Sequence, residues 1–378
     1  MHEIYKEKRD LFRDTTALKK TKRTPNLSNF YTWKILDSEF SLKEAMYDYD
    51  KMETLTREFH NRYQFDAYID LGVRNPIRIT DLLGSGYHEI DEKNETINYV
   101  DHVVMEPEEY PEMLKNMKKF YWTKIFPRKY PNVTAEMLKN SAMEFAQFGQ
   151  FTQRMTEIFV QEYHCPAVFN VNSVALIPFE TFHNSFRGIK GISMDLRRHG
   201  DELLDVSDMM FETITYPKIV TAFDSDTSSY VCDTYTALLG YAILSPKQFE
   251  KYYWTYLKKI IDLAVEKNKT FFIFCENTMM RFADFFQDIP AGHVVLHLED
   301  DDIFEVRKRL PNVCVAGGMT TELLGRGTPK ECVDYAKHLI DELGDGYIFT
   351  QNKMMSFRND CKRGNLIAVN DFVREYTR

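Results

Sequence analysis

The sequence predicts a parallel α/β protein, and within that class a TIM (β/α)8 barrel with an N-terminal helical extension. Three observations carry this. The last third alternates short apolar runs with amphipathic helices: 270–275, 293–298, 312–316 and 346–350 are the runs, separated by helical patterns. The runs are apolar throughout rather than every second residue, which is how strands covered on both faces read. The length of 378 residues suits eight such units with an addition at the N-terminus. A doubly wound open sheet is the structural alternative, and no GxGxxG after a first strand supports it.

The elements follow in order. Residues 14–28, DTTALKKTKRTPNLS, are polar and basic and read as a flexible approach to the fold. A helix is predicted after Ser41, with Glu44 placed to complete a capping box. FDAYIDLG, 65–72, reads as a strand ending in Asp70. Residues 75–110 suggest loops and a hairpin, and helices are expected at 107–120 and 134–162. AVFNVNSVALI, 167–177, is a strand candidate, 195–212 a helix, and KIVTAFDSD, 218–226, the next strand candidate. Arg187 is expected to pair with the helix that carries Asp195. The helix after Ser245 has an N-cap serine and Pro246 in its first turn. Phe249, Tyr253, Tyr256, Ile260 and Leu263 then recur at helical spacing. Further helices are predicted near 279–287, 301–309, 328–342 and 365–376. The expected organisation is an N-terminal extension over 1–60 and a barrel over 61–378.

Composition narrows the function. Hydrophobic residues make up 44% of the chain and aromatic residues 14%, enough for a sizeable core. The formal net charge of −9 argues against nucleic acid as the main partner, since phosphate binding needs excess Lys and Arg. The six cysteines form no CxxC pair, the N-terminus is charged, and no run approaches the ~20 apolar residues of a membrane span. A cytoplasmic protein with reduced thiols and no membrane partner is the expectation.

Two of the apolar runs end in groups that resist burial. TFFIFCEN closes with Cys275 and Glu276, and HVVLHLED with His297 and Glu299. In a parallel barrel the C-terminal strand ends gather on one face, where the active site lies. Glu276 and His297 are thus candidates to meet, with Asp70, Asp224 and Asn352 on the same rim and His183 close by. A carboxylate and an imidazole on neighbouring strands suit a divalent metal, zinc above all, with Cys275 as a further candidate ligand. The same pair could do acid–base work without metal, or His297 could simply close a core with a hydrogen bond.

The runs SPKQFEKYYWTYLKKIIDLAVEKNKTFFIFCEN, FRGIKGISMDLRRHGDELLDV and GGMTTELLGRGTPKECVDYAKHLIDELGDGYIFTQN resemble the uroporphyrinogen decarboxylase family, over roughly 30–378 and most closely after 180. The resemblance implies the barrel. It also implies a choice of chemistry. The family's decarboxylases carry an arginine-bearing N-terminal motif and a Gly-His turn; here those places hold KKTKRTPNL and Asn352-Lys353. An octacarboxylate without an Arg cluster would be poorly paired. The thiol-methylating members carry His-x-Cys, where this chain has Ile273 and Cys275. Some O-demethylating members resemble Glu-x14-Glu-x20-His; Glu276 and His297 keep the last spacing, and the first Glu falls on Ile261. That branch is the best match. It implies a methyltransferase moving a methyl group from a small, methoxylated donor to a corrinoid carried by a partner protein, with zinc as Lewis acid, and a homodimer as a candidate assembly. Asp70 lies near the family's essential Asp, and His183 near a substrate-contacting region. A metal-free decarboxylase or lyase centred on Asp70 and a catalytically silent binding barrel are the competing expectations.

Overall fold

Residues 2–69, 77–84, 88–99 and 103–377 are described by a computed structural model. Its strands are β1 (Leu27–Ser28), β2 (Ala67–Tyr68), β3 (His88–Asp91), β4 (Thr96–Tyr99), β5 (Thr234–Leu238), β6 (Phe271–Cys275), β7 (Val294–Leu298), β8 (Cys314–Met319) and β9 (Tyr347–Gln351). β5 to β9 form one parallel sheet in chain order; β1 and β2 form a parallel pair, and β3 and β4 an antiparallel hairpin. Isolated parallel bridges extend the pairing: Asn26 to Phe349, Phe30 to Met355, Tyr68 to Ala167 and Val174 to Tyr235. The parallel α/β class is as expected, whereas the principal sheet has five strands rather than eight. No helix among the described residues is long and apolar enough to cross a membrane.

The N-terminal half departs most from the sequence reading. The segment read as a flexible approach holds the end of helix α1 (Glu3–Thr16) and the whole of β1. Arg13 Nε and Nη2 hold the carbonyl of Tyr230 at 3.0 and 2.8 Å, and Phe12 is buried in the core beside Leu27. Ser41 caps the next helix with Glu44 in the predicted box, but that helix stops at Asp48, whose carboxylate caps α2 (Tyr49–Arg62) through Asp50 and Lys51 N–H. Helix α3 (Ala135–Gln161) runs as predicted. The 167–177 stretch is a bridge, a single 3-10 turn and a second bridge. Helices α4 (Gly188–Arg198) and α5 (Gly200–Met210) break at His199. The predicted strand 218–226 is instead α6 (Tyr216–Asp224). Pro217 stands in its first turn, and Ile219 and Phe223 bury at helical spacing. The strand is β5, TYTAL, whose Thr and Tyr hide it from a search for apolar runs.

The C-terminal half follows the prediction closely. Helix α7 (Thr255–Glu266) precedes β6, α8 (Ile303–Arg309) joins β7 to β8, α9 (Pro329–Leu343) joins β8 to β9, and α10 (Arg363–Glu375) closes the fold. Thr328 and Glu331 cap α9 reciprocally, at 3.3 and 2.8 Å, with Pro329 in its first turn.

Alternation places successive strand side chains on opposite faces of the sheet. Phe271, Ile273, Val294 and Leu296 pack on one face against Ile260, Ile261 and Leu339 of the helices. Phe272, Val295, Ala316 and Ile348 pack on the other, with Leu27 and Ala67 of the short pair and Phe12 of α1. Each fully buried side chain of this size contributes roughly 1.5–3 kcal/mol.

The expected Arg187–Asp195 pair is present and buried. Arg187 Nε and Nη2 lie 2.6 and 3.0 Å from the two carboxylate oxygens, and Tyr110 donates to the same carboxylate at 2.7 Å. The contact ties residues 105–110 to α4. Asp195→Ala leaves a guanidinium buried without its partner and should cost about 3–5 kcal/mol. Urea unfolding of the variant beside wild type reads this directly; a loss under 1 kcal/mol would refute it.

Candidate active site at the C-terminal strand ends

His297 lies on β7, on the face shared with Phe272 and Phe274, whose rings meet it edge-on at 6.0 and 5.0 Å. It is fully buried. Its Nε2 stands 2.8 Å from the carbonyl of Gln351 on β9, two strands away. A carbonyl only accepts, so Nε2 carries the proton and Nδ1 keeps a lone pair. That Nδ1 has no hydrogen-bond partner. β8 lets the ring cross: Ala316 is its register neighbour, and a Cβ on Gly317 would come within 3.4 Å of the imidazole and 2.8 Å of the Leu298 carbonyl. Burial pushes the His297 pKa down to about 4, against which the Gln351 hydrogen bond works only in part. The site therefore holds a neutral imidazole with one open acceptor.

Glu276 follows β6 by one residue, is half-buried, and donates its N–H to the Leu238 carbonyl at 3.1 Å. Two residues beyond Phe274, it continues the strand's His297 side by alternation. Glu299 does the same for β7. Its N–H reaches the Cys275 carbonyl at 3.3 Å and its carboxylate accepts the Asn277 N–H at 2.7 Å. Burial raises its pKa.

Cys275 is elsewhere. It pairs in register with Leu298 and packs into the helix-covered core, on the opposite face from His297. Burial pushes its thiol pKa well above the ordinary value. The assignment of Cys275 as a ligand beside His297 fails because adjacent strand residues point in opposite directions, and the strand end does not relax this. Asp224 is also misplaced. As the last residue of α6 it pairs with Lys267, which precedes β6, so it lies at the N-terminal edge of the sheet. Asn352 does sit at the C-terminal edge, but its amide is committed to the backbone: Nδ2 donates to the Glu299 carbonyl at 3.0 Å and Oδ1 accepts the Thr321 N–H at 3.2 Å. It staples the ends of β7 and β8. Asp70 lies outside the described residues.

His183 stands by the end of β5. Its ring packs on Gly240, where a Cβ would come within 3.0 Å, and its Nδ1 lies 2.8 Å from Asn184 Oδ1. Beside it is a residue the sequence reading passed over. Glu180, buried, accepts the N–H groups of Leu239 and Gly240 at 2.8 and 2.9 Å and the Tyr253 hydroxyl at 2.6 Å. Burial raises its pKa. The only sequence signal for it is one acid inside the apolar run ALIPFETF.

Zinc takes three or four protein donors. The orphaned Nδ1 of His297 suits a metal, and Glu276 ends the neighbouring strand. Among the described residues, however, no three His, Cys, Asp or Glu side chains gather as a metal site. The described residues therefore do not fit zinc by themselves, and no chemical step here runs through it.

Comparison with known proteins falls on these same strand ends. Residues 239–361 match the family model for uroporphyrinogen decarboxylase (URO-D). The URO-D segment holds β6 to β9 with Glu276, His297, Glu299 and Asn352. No curated protein matches the chain. A solved methyltransferase from Methanosarcina mazei superposes with a TM-score of 0.63, over 97% of this chain and 98% of its own, at 12% identity. That likeness is one of fold.

Because the folded-state pKa of His297 lies below that of an unfolded histidine, the unfolded chain binds the proton first. Stability from the neutral ring is complete above pH ~6.5 and is lost as pH falls toward 4. Relative to His297→Asn, wild type should lose about 2 kcal/mol between pH 7 and pH 5. Paired urea titrations at the two pH values measure it; parallel curves would contradict a buried neutral ring.

Proposed function

We propose that this chain is a methyltransferase built on a closed (β/α)8 barrel, acting on a small methylated donor at the C-terminal strand ends. The barrel reading rests on the bridges. Running from β9 through Asn26, β1, β2, Ala167 and Val174 back to β5, they outline the ring that eight parallel segments would make. The URO-D match and the methyltransferase fold support the reaction class. The observation that carries the site is the open Nδ1 of a buried neutral His297.

An aryl methyl ether is the donor class we favour, on the Phe272 and Phe274 rings that meet His297 edge-on. In this reading the methyl–oxygen bond breaks and its electron pair stays on oxygen. Glu276 supplies the proton to that oxygen, and His297 Nδ1 accepts a hydrogen bond that orients the reactants. The acceptor would be a reduced corrinoid on a partner protein, whose cobalt supplies the nucleophile. Zinc would enter only with a further ligand beside Glu276 and His297. Location in the cytoplasm belongs to the same proposal.

A metal-free lyase on the same barrel is the second reading, favoured by the lack of a third donor beside His297 and Glu276 among the described residues. Purified protein is incubated with cob(I)alamin and a panel of aryl methyl ethers, and loss of the Co(I) spectrum is followed. Wild type should transfer methyl, and His297→Ala and Glu276→Gln should each slow it about 100-fold, the scale of a lost acid–base group. No transfer from any ether would sink the methyltransferase reading. Loss of activity in Asp70→Asn with none in Glu276→Gln would move the chemistry to the lyase.

A further inference from the structure

The chain carries a net charge of −9, yet one stretch runs strongly the other way. Between Glu112 and Glu136 it has six Lys and Arg and no Asp or Glu, with Phe120, Tyr121, Trp122, Phe126 and Tyr130 among them. The stretch is helical from Met117 to Lys129, and its middle turn, Tyr121–Ile125, is a π turn. Phe120 and Ile125 bury one side in the core. On an α-helix a four-residue step drifts about 40° round the axis. The wider π turn takes up part of that drift. Lys118, Trp122, Phe126 and Tyr130 therefore fall into line on the outer side. The rings bear this out: Trp122 to Phe126 and Phe126 to Tyr130 are each 5.0 Å between centroids. Trp122, at the middle of the stripe, is 55% exposed.

The charges about the stripe indicate the occupant. Arg128 and Lys124 are taken by Glu109, at 2.6 and 3.7 Å. Lys115, Lys118 and Lys119 are exposed and form no ion pair among the described residues. The surface is thus positive and apolar at once, and complements one that is negative and admits an aromatic ring. A protein interface takes Trp at its centre but few lysines. Trp and Tyr set among lysines are the composition of a membrane boundary, where the rings sit at headgroup level and the ammonium groups meet lipid phosphates. The expectation of no membrane partner rested on the lack of a span, and a surface contact requires none. We propose that the 117–130 helix docks this protein on an anionic phospholipid surface, with Trp122 and Phe126 among the headgroups and Lys115, Lys118 and Lys119 on the lipid phosphates. The docking stands independently of the reaction proposed above.

Vesicle sedimentation with the full chain tests this, using phosphatidylcholine alone and phosphatidylcholine with about a third phosphatidylglycerol. Wild type should bind the mixed vesicles, and binding should weaken as salt is raised. Trp33 is buried and Trp254 half-buried, so a blue shift of tryptophan emission on binding reports chiefly on Trp122. Trp122→Ala should weaken binding about tenfold and abolish the shift. Each lysine near an anionic surface is worth roughly fivefold in affinity, so Lys118→Glu/Lys119→Glu should weaken binding by about twentyfold or more. Both variants replace exposed side chains, and their circular dichroism should match wild type. Failure of wild type to bind the mixed vesicles would overturn the proposal and leave the patch to an acidic protein surface. So would equal binding to the neutral vesicles, or binding indifferent to either variant.

Discussion

Parallel strands covered on both faces leave polar groups almost nowhere to go. That constraint governs this protein. β6 and β7 are buried along their whole length, five residues each. A carboxylate inside either would be charged without solvent or partner, at a cost of several kcal/mol. Glu276 and Glu299 accordingly stand one residue past the last paired position. His297 is the exception, tolerated because an imidazole can shed its charge and because the Gln351 carbonyl satisfies one nitrogen.

The exception depends on β8. A side chain larger than Ala316 would lie under the imidazole, and any Cβ at Gly317 would collide with the Leu298 carbonyl. Gly317 and Gly318 also take φ values of +115° and +86°, a backbone region that L-residues avoid. The run AGGM is therefore a channel for the imidazole as much as a strand. Asn352 then fixes the ends of the strands on either side of that channel. On the same rim, at the β5 end of the sheet, buried Glu180 does comparable work, holding the turn after β5 through two backbone N–H groups and Tyr253. Both devices use a polar side chain to order backbone at the strand ends, where loops must be rigid for a site to be pre-organised.

The site combines features that conflict for a metal and agree for acid–base chemistry. A neutral histidine with an open lone pair is a good metal ligand, but Cys275 is turned away from it and held as an inert buried thiol. The same neutral histidine, with Glu276 ending the neighbouring strand, suits proton chemistry without any metal.

The sequence by itself determined the C-terminal half. Uniform apolar runs, the Ser245 and Thr328 caps and the helix spacing between them are local signals, and the elements from β6 to α10 follow them closely. The positions of Glu276 and His297 at consecutive strand ends were legible for the same reason. Tertiary structure decided the rest. Whether KIVTAF is helix or strand depended on what covered Ile219 and Phe223, and TYTAL became a strand only because its backbone found Phe271–Cys275 as a partner. β1 is two residues long and is fixed by pairing with residues 40 positions onward and by a bridge more than 300 positions away. Cys275 and Asp224 looked like site residues in one dimension. Strand alternation turned the first to the helix side, and helix direction carried the second to the far edge of the sheet.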